Sequence, residues 1–159
     1  MLRTLIVSLS FLLAACAGSE APDCPFTGVG ANAPSAGCLV SLDGRILLVE
    51  NGAGKVSPPG GKTQSGESAQ CAAHRETFEE TGLDLAVGPL LMTFDTGFNL
   101  YRCEIHENSG EITLQRPMEV SRAYWLLVQD VERVRWRYPG QGEILRDLLQ
   151  RQNKGDARP

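Results

Sequence analysis

The sequence predicts an α/β domain, a mixed and antiparallel-leaning sheet covered on its faces by helices. Several strand-like runs surround only two helical stretches, an order that does not build a doubly wound parallel sheet. The chain of 159 residues, 42% hydrophobic and 21% charged, is long enough for one packed core, too short for two comfortable ones, and unlike a disordered polymer. A formal net charge of -4 argues against wholesale nucleic-acid binding, which needs a basic face to displace counterions from phosphate.

The first stretch, "MLRTLIVSLSFLLAACAGS", stands apart from the fold. One basic residue, Arg3, precedes an apolar run from Leu5 to Leu13 and then small residues, the pattern of an export signal over residues 1–15. The run is too short for a permanent transmembrane helix. Leu13-Ala14-Ala15-Cys16 resembles the bacterial lipoprotein box, in which the signal is cut before the cysteine and lipid is attached to Cys16. Ala15-Cys16-Ala17 also satisfies an ordinary signal peptidase, which would leave a start at Gly18; the lipoprotein reading is preferred, since a cysteine is otherwise an odd choice there. Ala17, with no aspartate after the lipid site, resembles lipoproteins sorted to an outer membrane. The expected location is the cell envelope, on the periplasmic face of the outer membrane. Residues 16–34, rich in Gly, Ala and Pro, read as a lipid-anchored tether, followed by a domain over 35–153 and a tail over 154–159.

Export places Cys24, Cys38, Cys71 and Cys103 where disulfides persist. Three pairings are open, and the alternative is that some are buried small apolar residues. No Cys-x-x-Cys pair supports a zinc site.

Each element of the domain has its own signal. "SAGCLVSLDGRILLVEN" places apolar residues on both sides of Asp43-Gly44, a dipeptide that favours a tight hairpin turn. "KVSPPGGKTQSGE" forms a stiff loop. From Ser68 to Thr81 the chain has good helix formers and no breaker, and Gly82 suits a left-handed cap. "LAVGPLLMTFDT", "FNLYRCEIH" and "GEITL" read as strands and "RAYWLLV" as a buried one. "GEILRDLLQRQ" gathers Ile144, Leu145, Leu148 and Leu149 on one side, giving an amphipathic closing helix. If "RVRWRYPG" is extended, Arg133, Arg135 and Arg137 share one face and Val134, Trp136 and Tyr138 the other. That makes either a phosphate and base contact or a packed aromatic edge with solvated arginines.

The central helix concentrates charge. Glu76, Glu79 and Glu80 stand at i, i+3 and i+4 and project from one flank, where like charges repel. Divalent cations relieve such crowding, and Mg²⁺ commonly combines few carboxylates with substrate phosphates. The alternative is a solvated acidic face. Ala69, Ala72 and Ala73 lie near the same sector and allow close approach to a neighbouring element. Cys71, His74 and Phe78 fall opposite; the tether could cover Phe78, a Cys24–Cys71 bond being one way. His74 reads as a surface residue.

The spacing decides between those readings. Gly61, five residues, Glu67, seven residues, Arg75-Glu76, two residues, Glu79-Glu80, one residue, Gly82 and apolar Leu83 resembles the Nudix box, the signature of the Nudix hydrolases, with Thr77 in a usually apolar slot. The resemblance implies an α/β/α sandwich with a mixed sheet. It implies that Glu76, Glu79 and Glu80, with the Gly61 carbonyl, hold Mg²⁺ or Mn²⁺ against a diphosphate, and that Glu67 and Arg75 form an ion pair clamping loop to helix. It further implies hydrolysis of a pyrophosphate bond in a small-molecule nucleoside diphosphate derivative linked to another group, X. The general base varies in this family; Glu119 is the candidate, Glu79 the other, and a plain surface glutamate remains open for Glu119. Val56 and Pro58 replace the aromatic and apolar residues often found before Pro-Gly-Gly, which removes expected stacking contacts. Tyr101, eighteen residues past Leu83, stands where a tyrosine sometimes accompanies dinucleoside polyphosphate specificity, with a core role as the alternative. Arg135 and Trp136 complete the expected substrate contacts. The rival functions are a non-catalytic Nudix-fold binding module and a structural lipoprotein with an incidental acidic helix.

Overall fold

The Asp43-Gly44 dipeptide makes the turn its chemistry favours, with φ of 49° and 71°, and joins β1 (Ser35–Leu42) to β2 (Arg45–Glu50) in antiparallel register. The computed structural model describes residues 20–156 and carries seven strands and two α-helices in that span. The export signal and Cys16 lie outside the described residues. The remaining elements are β3 (Val56–Ser57), β4 (Gly60–Lys62), α1 (Ala69–Thr81), β5 (Leu85–Thr93), β6 (Phe98–Ile105), β7 (Arg122–Leu127) and α2 (Gln141–Asp156). A 3-10 turn over Val128–Arg133 leads from β7 toward α2.

The sheet is mixed, as expected. β1 runs parallel to β6 and antiparallel to β2 and β4, while β5 pairs antiparallel with β6 and β7 with β2. Because helices cover both faces, β1 reads as a continuous apolar run rather than an alternating one. Cys38 and Val40 face α1 together with Leu47, Leu85 and Tyr101. Leu39 faces the other layer with Ile46, Leu48, Leu100, Leu145 and Leu149. The result is an α/β/α sandwich.

Two disulfides staple this arrangement. Cys38–Cys103 links the adjacent strands β1 and β6, with Cα atoms 5.5 Å apart. Cys24–Cys71 binds the segment before β1 to the outer side of α1, with Cα atoms 5.3 Å apart.

Four expectations change. "GEITL" is not a strand: its backbone lies across the end of α1, where Thr113 N–H donates to Thr81 O at 2.8 Å and Gln115 N–H to Glu79 O at 3.2 Å, satisfying carbonyls that a helix terminus leaves without partners. β7 is half-buried instead of buried, because among the described residues it pairs with β2 alone. The last part of the supposed tether belongs to the domain. Ala31 O accepts from Ala69 N–H at 2.8 Å, Ala31 N–H donates to the Gln70 side chain at 2.9 Å, and Pro34 O accepts from Thr63 N–H at 3.1 Å. His74 is 1% exposed, not a surface residue, because Asp84 folds back past the Gly82 turn to accept its Nε2 at 2.9 Å. Asp84 also bonds His106 at 3.2 Å, and these two contacts overcome its burial and hold its carboxyl below the usual range.

Ala69, Ala72 and Ala73 are fully buried, and it is their small size that lets α1 lie close on β1 and β4. Ala72→Leu is expected to cost about 1–3 kcal/mol by overpacking this seam, read as a lower midpoint in urea denaturation. An unchanged midpoint would mean that the helix can move outward freely.

Candidate active site

The site is assembled by where α1 starts and stops. Ser68 caps its beginning, the side chain accepting from Cys71 N–H at 3.2 Å. Gly82 ends it at φ 74°, its N–H donating to Phe78 O at 2.7 Å. Between these caps Glu76 and Glu80 are turned toward β4. Gly60 N–H donates to Glu80 Oε2 at 2.8 Å. A Cβ on Gly61 would lie 2.3 Å from Glu76 Oε2, so only glycine lets the strand and the carboxylate approach so closely.

Arg75 organises the charges. Its Nε and one terminal nitrogen grip Glu67 bidentately at 2.8 and 3.0 Å, and that same terminal nitrogen donates to Lys62 O at 2.9 Å. The other terminal nitrogen reaches Glu76 at 2.8 Å and Glu79 at 3.3 Å. Burial raises the Glu67 carboxyl, but Arg75 and the Gln64 N–H outweigh it and hold the group below its ordinary value. The bond to Glu67 leads in pushing the Arg75 guanidinium upward.

A second arginine comes from afar. Arg116, in the segment between β6 and β7, donates to Glu79 Oε1 at 2.9 Å and lies 3.7 Å from Glu119. Burial leads in raising both Glu76 and Glu80, and the charge of Glu119 adds to each. Glu80 is pushed up to about 8 by burial and by Glu76 and Glu119, against the Gly60 N–H and the positive charge of Arg137. Glu119 lines the same cleft as Arg75 and Glu79.

The donors suit a hard divalent cation: they are oxygens, they repel one another, and the missing Cβ of Gly61 leaves a cradle at Glu76. As the side chains lie, no three of them among the described residues form a finished cage, because Arg75, Arg116 and the Gly60 N–H hold the carboxylates. A cation would exchange for the arginine contacts.

Other expected residues are not brought to the site. Tyr101 is 2% exposed within the core, its hydroxyl accepting from Asn99 at 3.3 Å. Trp136 packs on the α2 side and its indole N–H is spent on Val131 O at 2.7 Å. The segment is extended, paired with Val56 through the Arg135 carbonyl and the Arg137 N–H, so Arg135 and Arg137 project outward. Of these two, Arg137 is the one whose charge acts on Glu80. Arg116 is thus a site residue that the sequence did not single out, the only hint being its place three residues before Glu119, whereas Arg137 belongs to the arginine face that the sequence pointed to.

A family model described as the NUDIX domain matches residues 31–148. The chain belongs to the Nudix family. Membership makes it a Nudix-type pyrophosphohydrolase, an enzyme of phosphoric anhydride bonds. Solved structures agree on the Nudix fold. A UDP-X diphosphatase superposes with a TM-score of 0.64 at 20% identity, over 80% of this chain and 68% of that one. An ADP-ribose pyrophosphatase from Streptococcus suis gives 0.61 at 20% identity, over 74% and 90%. An Ap4A hydrolase from C. elegans gives 0.60 at 21% identity, over 76% and 98%. No curated protein matches the chain in sequence.

The Glu80 environment sets a pH dependence. Its folded-state pKa lies above the ordinary carboxylate value, so the fold binds that proton more tightly than the unfolded chain does. The stabilisation is full below about pH 4.5 and is lost as pH rises through about 8. The melting temperature of metal-free protein is expected to fall across that window, and Glu80→Gln, which cannot ionise, to flatten the fall.

Proposed function

We propose that this Nudix protein is an exported, Mg²⁺- or Mn²⁺-dependent hydrolase that cleaves the pyrophosphate bond of a nucleoside diphosphate linked to a group X. The products are a nucleoside monophosphate and X-phosphate. The observation that carries the reading is the close approach of α1 to β4, which sets the Glu76 carboxylate against Gly61 and Glu80 on the Gly60 N–H, with Arg75 holding Glu76 and Glu79. The fold neighbours include proteins described as a UDP-X diphosphatase, an ADP-ribose pyrophosphatase and an Ap4A hydrolase, a range that fits this substrate class.

Glu76, Glu79, Glu80 and the Gly61 carbonyl hold the cation. When bound, it polarises phosphoryl oxygens and neutralises charge developing during in-line displacement. Arg75 holds Glu76 and Glu79 in place while Glu67 fixes Arg75. Arg137 and, once released from Glu79, Arg116 supply positive charge for the phosphates. Glu119 is the proposed base: it lines the cleft that Glu79 also lines, and its one ion pair among the described residues is the loose contact with Arg116.

Export rests on the opening sequence, with Cys16 as the proposed lipid site and the outer membrane as the proposed anchor. The two disulfides fit an oxidising compartment. Because nucleoside triphosphates are scarce outside the cytoplasm, a pool-sanitising role does not suit the location.

Hydrolysis of a pyrophosphate panel with Mg²⁺ and Mn²⁺ tests the reading. Glu76→Gln is expected to lower kcat/KM about 100-fold or more, and Glu119→Gln to lower kcat about 100-fold with little change in KM. An undiminished Glu119→Gln would move the base to Glu79, and a panel without metal-stimulated turnover would refute the enzyme. Mass spectrometry of the mature protein is expected to show lipid on Cys16; a chain starting at Gly18 would refute the anchor.

A further inference from the structure

Residues 20–24 precede the part of the chain matched by the family model, yet they build a wall beside the acidic helix. They form one side of a cleft of about 1010 Å³, a size that takes a small organic group. Its floor is the outer side of α1, including Arg75 and Glu79, and its far side is the 115–119 segment, including Glu119. The cleft therefore shares Arg75, Glu79 and Glu119 with the metal-binding face. The Cys24–Cys71 bond fixes the wall to the helix that carries the glutamates, four residues before Arg75.

We propose that this cleft is the subsite for X, and that X is a neutral, hydroxyl-rich group of the sugar class, held between the disulfide-fixed 20–24 strap and the 115–119 segment. The proposal rests on the pyrophosphohydrolase reading and deepens it. A diphosphate seated at Glu76, Glu79 and Glu80 has its two substituents leaving in different directions, and the cleft begins at Glu79. Its walls are unsuited to a second nucleotide. Among the described residues no phenylalanine, tyrosine or tryptophan lines it and the His74 ring is buried, so a second base finds no open ring to stack on, and Tyr101 is sealed in the core. Arg75 and Arg116 line the end of the cleft nearest Glu79, where they serve the diphosphate; on the strap side Glu20 and Asp23 are exposed and form no ion pair among the described residues, so further phosphates are repelled there. The same carboxylates accept hydrogen bonds from hydroxyls, and Pro22 and Pro117 offer flat apolar surface to the C–H faces of a sugar ring.

The test uses the mature oxidised protein with Mg²⁺ and two probes, UDP-glucose and diadenosine tetraphosphate. Wild-type protein is expected to prefer UDP-glucose. Untying the strap with Cys24→Ala/Cys71→Ala should raise KM for UDP-glucose about tenfold, the loss expected from one or two hydrogen bonds, with kcat nearly unchanged. Glu20→Gln/Asp23→Asn keeps the disulfide; it should raise the same KM severalfold and improve diadenosine tetraphosphate, which keeps the test decisive if the cysteine variant fails to fold. Unchanged KM for UDP-glucose in the folded variants, or a wild-type preference for diadenosine tetraphosphate, would overturn the proposal. If no pyrophosphate is turned over, the enzymatic reading fails separately. Calorimetric binding of UDP-glucose to wild type and to Glu20→Gln/Asp23→Asn then decides the subsite: weakening in the variant supports it, and equal or absent binding overturns it.

Discussion

The site depends on a conflict that Arg75 resolves. Three glutamates on one flank of a helix repel one another, and two of them are also drawn out of water against β4. An unpaired buried carboxylate is costly. A single planar guanidinium answers this by contacting Glu67, Glu76, Glu79 and the Lys62 carbonyl at once. A lysine ammonium lacks that fork of donors and could not hold the same four partners in one plane. Arg75 is itself only 16% exposed, so the network works at low dielectric, where each contact is stronger than on an open surface.

That electrostatic cluster needs a rigid frame. The buried alanines bring α1 close enough to β4 for Gly60 N–H to reach Glu80, and the caps at Ser68 and Gly82 fix which residues face the strand. The disulfides span 47 and 65 residues. In a chain-entropy account each removes up to about 4 kcal/mol of freedom from the unfolded chain. One ties two core strands together; the other ties the catalytic helix to the N-terminal strap. The second bond stiffens the element that bears the repelling charges.

Much of this was readable in the sequence because it is written in local spacing. The hairpin at Asp43-Gly44, the helix ending at Gly82 and the placement of Glu76, Glu79 and Glu80 each depend on residues within one or two turns of each other. What could not be read depends on partners far along the chain. Arg116 meets Glu79 across 37 positions, and no periodicity announces that meeting. "GEITL" has strand-like residues, but the free carbonyls at the end of α1 offer its N–H groups a better partner than a sheet edge. Tyr101 and Trp136 are aromatic in an alternating pattern, which says that they share a face with neighbours but not whether that face is core or cleft. His74 looked solvated because Asp84, on the other side of a glycine turn, supplies its partner only once the chain folds back.

The arrangement also explains why an acidic helix can exist before any cation arrives. Arg75, Arg116 and the Gly60 N–H each offset part of the repulsion, and burial raises the Glu80 carboxyl toward its neutral form. A divalent cation would do the same work with two charges at one point, so its binding would displace the weaker partners rather than fill an idle cavity. Arg75 is held in place by Glu67 and Lys62 and stays; Arg116, half-exposed and held by Glu79 and Glu119, is the one free to leave. A cation held at Glu79 would leave Arg116 as a positive charge available to phosphate, so that the same residue would serve as counter-ion to the helix in one state and as a substrate contact in the other.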